Sequence, residues 1–433
     1  MAQACCAKPR EALSPESSCS IRVFDGLRQQ VVPLPVSQDP ERRGGSLLNL
    51  YVCGVTPYDS GHMGHAFTFS AFDHLVRWAE ACGVRVRYVQ NVTDIDDPLF
   101  ERARRLGVPW DELARAQVES FVADMALLGW RPPDVMPLVS EEIPAILAAV
   151  DRLVDGGFTY QTDAVYFDAS RYPGYGQLWH GSRRSMLREL REEGLLGHVG
   201  PGAKRDALDF QLWRPSRPDE PAWPSRHGEG RPGWHIECTA MSMRYLGEQV
   251  DVHGGGRDLR FSHHESERAQ SESLTGCVPF SRAWMHTGMV RYAGHKMSKS
   301  LGNLVVVREA LDRAPAAALR LYLASHRYRT DWTFRWEGLA DAARLTARLS
   351  ELLGGGGGGG TATGGGRAGP AGRLGLRPAE GAAKDLVAAF SAAMDDDLDA
   401  PRAVRALRAA TRRRDAAAAA WMAGILCGDA SLN

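Results

Sequence analysis

Residues 47–55, LLNLYVCGV, form a continuous apolar run followed by turn-forming residues, the pattern of a strand buried on both faces of a parallel sheet. The next stretch, AFTFSAFDHLVRWAEACG (66–83), carries apolar positions at helical spacing, and VRVRYVQNV (84–92) reads as a strand again. Strand, helix and strand open a βαβ unit. The segment PLFERARRLGVPWDELARAQVESFVADMALLG (98–129) is helical in pattern, with a break expected near Gly107–Pro109. Residues 131–232 change character. Pro, Gly, Arg and aromatic residues dominate YPGYGQLWHGSRRS and LWRPSRPDEPAWPS, which predicts an inserted subdomain whose loops lie over a site. Alternation resumes in GWHIECTAMSMRYLG, VDVHGGG and RAWMHTGMV. The expected fold is a doubly wound α/β domain, interrupted and then completed, with ligands at the carboxyl ends of its strands near the switch point.

The resulting division is a leader (1–45), the first half of the α/β domain (46–130), the insertion (131–232), the second half (233–310), a helical region (311–352), a Gly-rich linker (353–378) and a small helical bundle (379–433). Within the bundle, the run Asp395–Asp397 is expected at a solvated helix end. Composition narrows the function classes. The chain has 433 residues, 44% of them hydrophobic, and 52 basic against 52 acidic side chains, so a broadly electropositive nucleic-acid surface is not indicated. Eight scattered cysteines lack the framework of a small secreted protein, and no apolar run is long enough to span a membrane. A cytoplasmic, monomeric protein with no membrane partner is expected.

Two short motifs carry chemistry. In HMGH, His62 and His65 fall three apart where a helix begins after a strand. A helix N-terminus presents unpaired N–H groups and the positive end of the dipole, and Gly64 leaves room for a nucleotide base or ribose. Two imidazoles there can donate to phosphate oxygens. In HKMSKSLGN (295–303), Lys296 and Lys299 lie among Ser and Gly residues that permit loop closure. Attack of a carboxylate on the α-phosphate of ATP builds negative charge that such ammonium groups neutralise.

HMGH and KMSKS resemble the two signatures of class I aminoacyl-tRNA synthetases, and YVCGVTPYD, VQNVTDIDD, GRPGWHIEC and GGGRDLRFSHHE narrow the resemblance to the cysteinyl branch over roughly residues 50–305. The resemblance implies a Rossmann-type parallel sheet with an insertion subdomain and a C-terminal helical domain. It implies that His62, His65, Lys296 and Lys299 are catalytic toward Mg-ATP, and that one Zn²⁺ per chain is held by Cys53, Cys238 and His263, with Glu267 a candidate fourth ligand. Thiolate and imidazole suit zinc, and an open position accepts a cysteine thiolate far better than a serine hydroxyl. Cys53, Gly54, Val55, Thr56, Thr68, Asn91, Val92, Thr93, Trp234, Gly256, Arg257, Asp258 and Val290 are implied to contact cysteine and its adenylate. Two acceptors occur in this branch: tRNA, and the amine of glucosaminyl-inositol on the route to mycothiol. GVTPYD, Pro98, KRDALD (204–209), HTGMVRYAGHKMSKS and the short stretch beyond Ala400 resemble the sugar-amine branch. Glu267 instead matches the tRNA enzymes, and REEGLLGHVGPGAKRD lacks the acidic-glycine motif of the other. The sugar amine is the favoured acceptor and tRNA the alternative.

Overall fold

The computed structural model describes residues 20–57, 61–197, 199–297, 302–354 and 381–428. Its central sheet has four parallel strands in the spatial order Ser281–Thr287, Val250–Gly256, Ser46–Val55 and Arg85–Val92. The short strand Ser37–Gln38 pairs antiparallel with the start of Ser46–Val55. The chain builds outward from Ser46–Val55 in one direction and, after the insertion, in the other. The switch point therefore lies between the carboxyl ends of Ser46–Val55 and Val250–Gly256, where open α/β sheets bind ligands.

Why this strand reads as a continuous apolar run is plain from its two faces. Leu48, Leu50 and Val52 pack into the core built with Phe69, Phe72 and Val76 of the helix Met63–Ala81. Tyr51 and Cys53, one residue out of phase, enter a second core with Ile236, Cys238 and Met241 of the helix Trp234–Leu246. Both faces are covered, so alternation of polarity disappears. Helix and sheet approach closely enough that a Cβ on Gly254 would come within 2.2 Å of Phe72 Cζ. The helical stretch after Arg85–Val92 is broken as expected, into Asp97–Leu106 and Trp110–Leu127, with Gly107 left-handed at φ 66°.

Four antiparallel strands in sequence order, Thr159–Gln161, Val165–Phe167, Phe210–Arg214 and Arg231–Pro232, form the sheet of the insertion. Its last strand passes through Gly233 directly into the helix that carries Trp234 and Cys238. Only glycine fits this junction, since a Cβ would lie 2.0 Å from the Gln211 carbonyl oxygen. Before the insertion sheet, Val135 and Leu138 run parallel to Val89 and Val92 at the edge of the central sheet.

Helices Lys384–Asp395, Ala400–Arg413 and Ala416–Cys427 share the core of the α/β domain. Trp78, in the last turn of Met63–Ala81, packs edge-on against Phe390 and Trp421. The aspartate run that joins two of these helices is exposed at Asp396, as expected of a helix end, but not at Asp397. Asp397 is 5% exposed and accepts from the Phe24 amide (2.8 Å), the Tyr328 hydroxyl (2.7 Å) and Arg329 Nε (2.6 Å). Asp395 accepts from Trp78 Nε1 at 2.9 Å and Asp399 from Arg327 at 2.6 Å. Asp397 and Asp399 are spent on donors from outside these helices, which is why these two charges are buried, whereas exposed Asp396 pairs with Arg402. In the expected linker, Leu353 and Gly354 finish the helix Trp336–Gly354, and the remainder lies outside the described residues. No described helix is long and apolar enough to cross a membrane.

Candidate active site

Cys53 sits near the carboxyl end of its strand and shares the second core with the helix Trp234–Leu246, which brings Cys53 and Cys238 together. His263 and Glu267 come from the segment after Val250–Gly256. Ligand atoms of Cys53, Cys238, His263 and Glu267 all lie within 4.8 Å of one another, and every one of these residues is buried. Cys53 Sγ is 3.4 Å from Glu267 Oε1, which is 3.2 Å from His263 Nε2. Burial opposes charge on Glu267, yet His253 and His263 hold its carboxyl below the ordinary range. Burial, and then the neighbouring Cys238, push the Cys53 thiol well up. Burial drops His263 to about 3, which leaves a neutral imidazole able to ligate. Two thiols, an imidazole and a carboxylate can hold a metal ion of borderline softness.

A neighbouring histidine fixes this imidazole. His263 Nδ1 is 3.0 Å from His235 Nδ1, and His235 Nε2 is 3.4 Å from Ser262 Oγ. One Nδ1 must donate and the other accept; with the proton on His263 Nδ1, His263 Nε2 is left as a lone pair aimed at the cluster. Trp234 stacks on the same ring at 4.4 Å. Sequence reasoning missed His235, His253, His264 and His286. Cys53, His253, His264 and Glu267 form an overlapping donor set, and His264 Nδ1 lies 2.8 Å from His286 Nε2. The adjacent histidines in FSHHE and the lone histidine of VDVHGGG were the available signals.

His62 caps the helix Met63–Ala81, and here the structure departs from the expectation of open amides. Its Nδ1 accepts from the Gly64 and His65 amides at 3.1 and 3.4 Å, while the Met63 amide donates to the Val305 carbonyl at 2.9 Å. The first-turn N–H groups are therefore occupied. The space over Gly64 is likewise taken: a Cβ there would meet His62 Cε1 at 2.8 Å. Because Nδ1 of His62 is an acceptor, its Nε2 carries a proton and donates. His65 stacks on His62 at 3.8 Å. The Gly61 carbonyl accepts from the Val307 amide at 2.9 Å, so the segment following the lysine motif is tied to HMGH. Lys299 and the side chain of Lys296 lie outside the described residues; the backbone of Lys296 pairs with Arg291 in a hairpin.

The remaining residues expected to contact the adenylate are spread over the strand ends, the helix Met63–Ala81 and the segments after Val250–Gly256 and Ser281–Thr287. Gly54 must be glycine, since a Cβ would fall 1.6 Å from the Asn91 carbonyl oxygen. Its amide donates to Asn91 Oδ1 (2.9 Å), Asn91 Nδ2 to Thr93 Oγ1 (3.1 Å) and the Thr93 amide to the Val55 carbonyl (2.9 Å). These residues, with buried Val92, brace the strand ends against each other. Thr68 and Thr287 hydroxyls are 2.7 Å apart, Arg257 pairs with Asp331 at 2.7 Å, Asp258 is exposed beyond Gly256, and Val290 is buried.

Beside the thiol cluster opens a cleft of about 890 Å³, lined by Thr56 and Asp96, by residues of the insertion, and by Trp234, His235 and Glu237. Seven carboxyl side chains line it against three lysine or arginine side chains. A family model described as the class I (C) tRNA synthetase catalytic domain matches residues 41–344. A protein of Frankia alni named L-cysteine:1D-myo-inositol 2-amino-2-deoxy-alpha-D-glucopyranoside ligase is 45% identical over 364 residues, covering 83% of this chain and 82% of that one. A cysteine–tRNA ligase of Dehalococcoides mccartyi is 43% identical over 306 residues, covering 70% and 65%. Methionyl-tRNA synthetase of Mycobacterium tuberculosis, solved with methionyl-adenylate, has the same fold at a TM-score of 0.56 and 16% identity, over 88% and 82% of the two chains.

Proposed function

The chain belongs to the class I (C) tRNA synthetase catalytic-domain family, and from that premise we propose that it activates L-cysteine with Mg-ATP as cysteinyl-AMP and joins it to the amine of glucosaminyl-inositol. The cysteine carboxylate attacks the α-phosphorus, and the bond to pyrophosphate breaks. His62 and His65, together with Lys296 and Lys299, donate to the charge that develops on the phosphates. The acceptor nitrogen then attacks the adenylate carbonyl, forming an amide and releasing AMP. Cys53, Cys238, His263 and Glu267 would hold a zinc ion, which when bound supplies a seat for the substrate thiol that a serine hydroxyl fills poorly. Trp234, stacked on His263, closes that seat on the cleft side.

The observation that carries the acceptor is the acidic cleft beside the thiol cluster. An excess of carboxylates repels a polyanionic tRNA end and attracts an ammonium, and its volume suits a pseudodisaccharide. The test incubates the protein with ATP and cysteine plus either glucosaminyl-inositol or cysteine tRNA. Amide formation with the first and little charging of the second is expected. Efficient, salt-sensitive tRNA charging with an inert sugar amine would refute the reading.

A further inference from the structure

Two acids of the cleft lining, Glu237 and Asp96, form no ion pair among the described residues. Glu237 is 1% exposed, and its Oε2 is buried with no hydrogen-bond partner among the described residues. Asp96 is half-buried; its Oδ1 caps the helix Asp97–Leu106 by accepting the Asp97 amide at 2.8 Å, and its Oδ2 has only a long 3.4 Å contact from Thr56 Oγ1. The cations around them are committed elsewhere. Arg214 and Arg231 both grip Asp97, Arg231 also holds Glu220 at 3.0 Å, and Lys204 Nζ donates to the carbonyls of Ala207 and Asp209. Burial, offset only in part by Arg231, favours the neutral acids, and an ammonium arriving from outside would stabilise their charged forms.

We propose that Glu237 and Asp96 form the seat of the acceptor's ammonium group, with Asp96 as the base that takes its first proton. The inference rests on the function proposed above and adds residues that the motif resemblance did not supply. Glu237 precedes Cys238 on the same helix, and Trp234 and His235, which touch His263, line the same cleft, so an amine held here stands beside the bound cysteinyl group. Burial lifts Asp96 to about 6, close to the range in which a carboxylate works as a base near neutral pH. The step balances as follows. The ammonium gives one proton to Asp96, and the freed nitrogen lone pair forms the C–N bond to the adenylate carbonyl. The C–O bond to phosphate breaks, its electron pair leaves on AMP, and the second nitrogen proton passes to the AMP phosphate.

Asp96→Asn keeps a side-chain oxygen for the helix cap, and Glu237→Gln keeps shape. Both are compared with the unmodified chain in two assays: cysteine-dependent pyrophosphate exchange without acceptor, and amide formation with glucosaminyl-inositol. We expect transfer to fall about 10²-fold in Asp96→Asn and the acceptor KM to rise at least tenfold in Glu237→Gln, with exchange within twofold of normal in both. Exchange also reports that the variants are folded. Transfer unchanged in both variants overturns the seat. A matching loss of exchange with a raised KM for cysteine also overturns it, by assigning the carboxyls to cysteine's own ammonium. Absence of amide product with the unmodified chain counts instead against the proposed function.

Discussion

Replacing Asp73 with asparagine should uncouple the active-site helix from the C-terminal helices. Asp73 lies on Met63–Ala81, fully buried. Its Oδ2 accepts from Arg77 Nε at 2.9 Å and from Arg320 Nη2, and its Oδ1 from the Arg131 amide at 2.8 Å. Arg320 is itself 0% exposed and reaches the Leu426 carbonyl in the last helix, which His74 Nε2 also approaches at 3.0 Å. Burial raises the Asp73 pKa, but Arg320 and Arg77 outweigh it and hold the group at about 2 against an ordinary 3.8. That depression corresponds to roughly 2 kcal/mol. Its sign is that of a depressed carboxylate: the stabilisation is complete above pH 4 and is lost as pH falls through about 2. Asparagine removes it at every pH and does more, since its NH₂ must face either two guanidinium groups or the Arg131 amide. Stranding Arg320 without its counter-ion brings the expected loss to about 3–5 kcal/mol. Urea unfolding at pH 7 would read it as a lower midpoint at unchanged slope. Adding Arg320→Met should recover part of the loss, because the stranded charge goes with it. A loss below about 1 kcal/mol in the single variant would refute the argument.

Three further outcomes follow from the site. His62→Ala should cost about 1 kcal/mol through the lost helix cap and lower cysteine-dependent pyrophosphate exchange by about 10²-fold, whereas His62→Asn should restore the stability and not the exchange; recovery of both would confine His62 to capping. Cys238→Ser should lose the zinc proposed for this cluster and the discrimination of cysteine over serine, measured by metal analysis and by exchange with each amino acid, and metal retained at the level of the unmodified chain would remove Cys238 from the donor set. Gly54→Ala puts a methyl 1.6 Å from the Asn91 oxygen and should cost more than about 3 kcal/mol or prevent folding, read by thermal unfolding; a near-normal melting temperature would show that the strand ends can part.

How much of this was legible beforehand depended on whether the governing contact is local. The strand at 46–55 and the helix behind it declared themselves because both faces of the strand are buried and the helix repeats its apolar stripe over several turns. The break after Leu106 was legible because Gly107 supplies a left-handed cap. The burial of Asp397 and Asp399 and the pairing of Asp395 were not. A charged run reads as solvated unless its partners are known, and Phe24, Trp78, Arg327, Tyr328 and Arg329 are all distant in sequence.

The site shows the same division in sharper form. No spacing rule joins Cys53 to Cys238; what joins them is that each sits at the inward phase of its own element, one on the strand face that carries Tyr51, one on the helix face that carries Ile236 and Met241. Resemblance supplied that pairing, and the geometry supplies its reason. The amides of HMGH illustrate the reverse case, since the motif was visible but its amides, expected open, are occupied. A histidine at the N-cap accepts through Nδ1 the amides that a phosphate would otherwise take, so the same residue that marks the helix start also closes its backbone anion site and leaves a ring donor in its place. Hydrogen bonds within three residues decide that outcome, yet which ring nitrogen accepts is fixed by backbone geometry, and residue identity alone does not encode it.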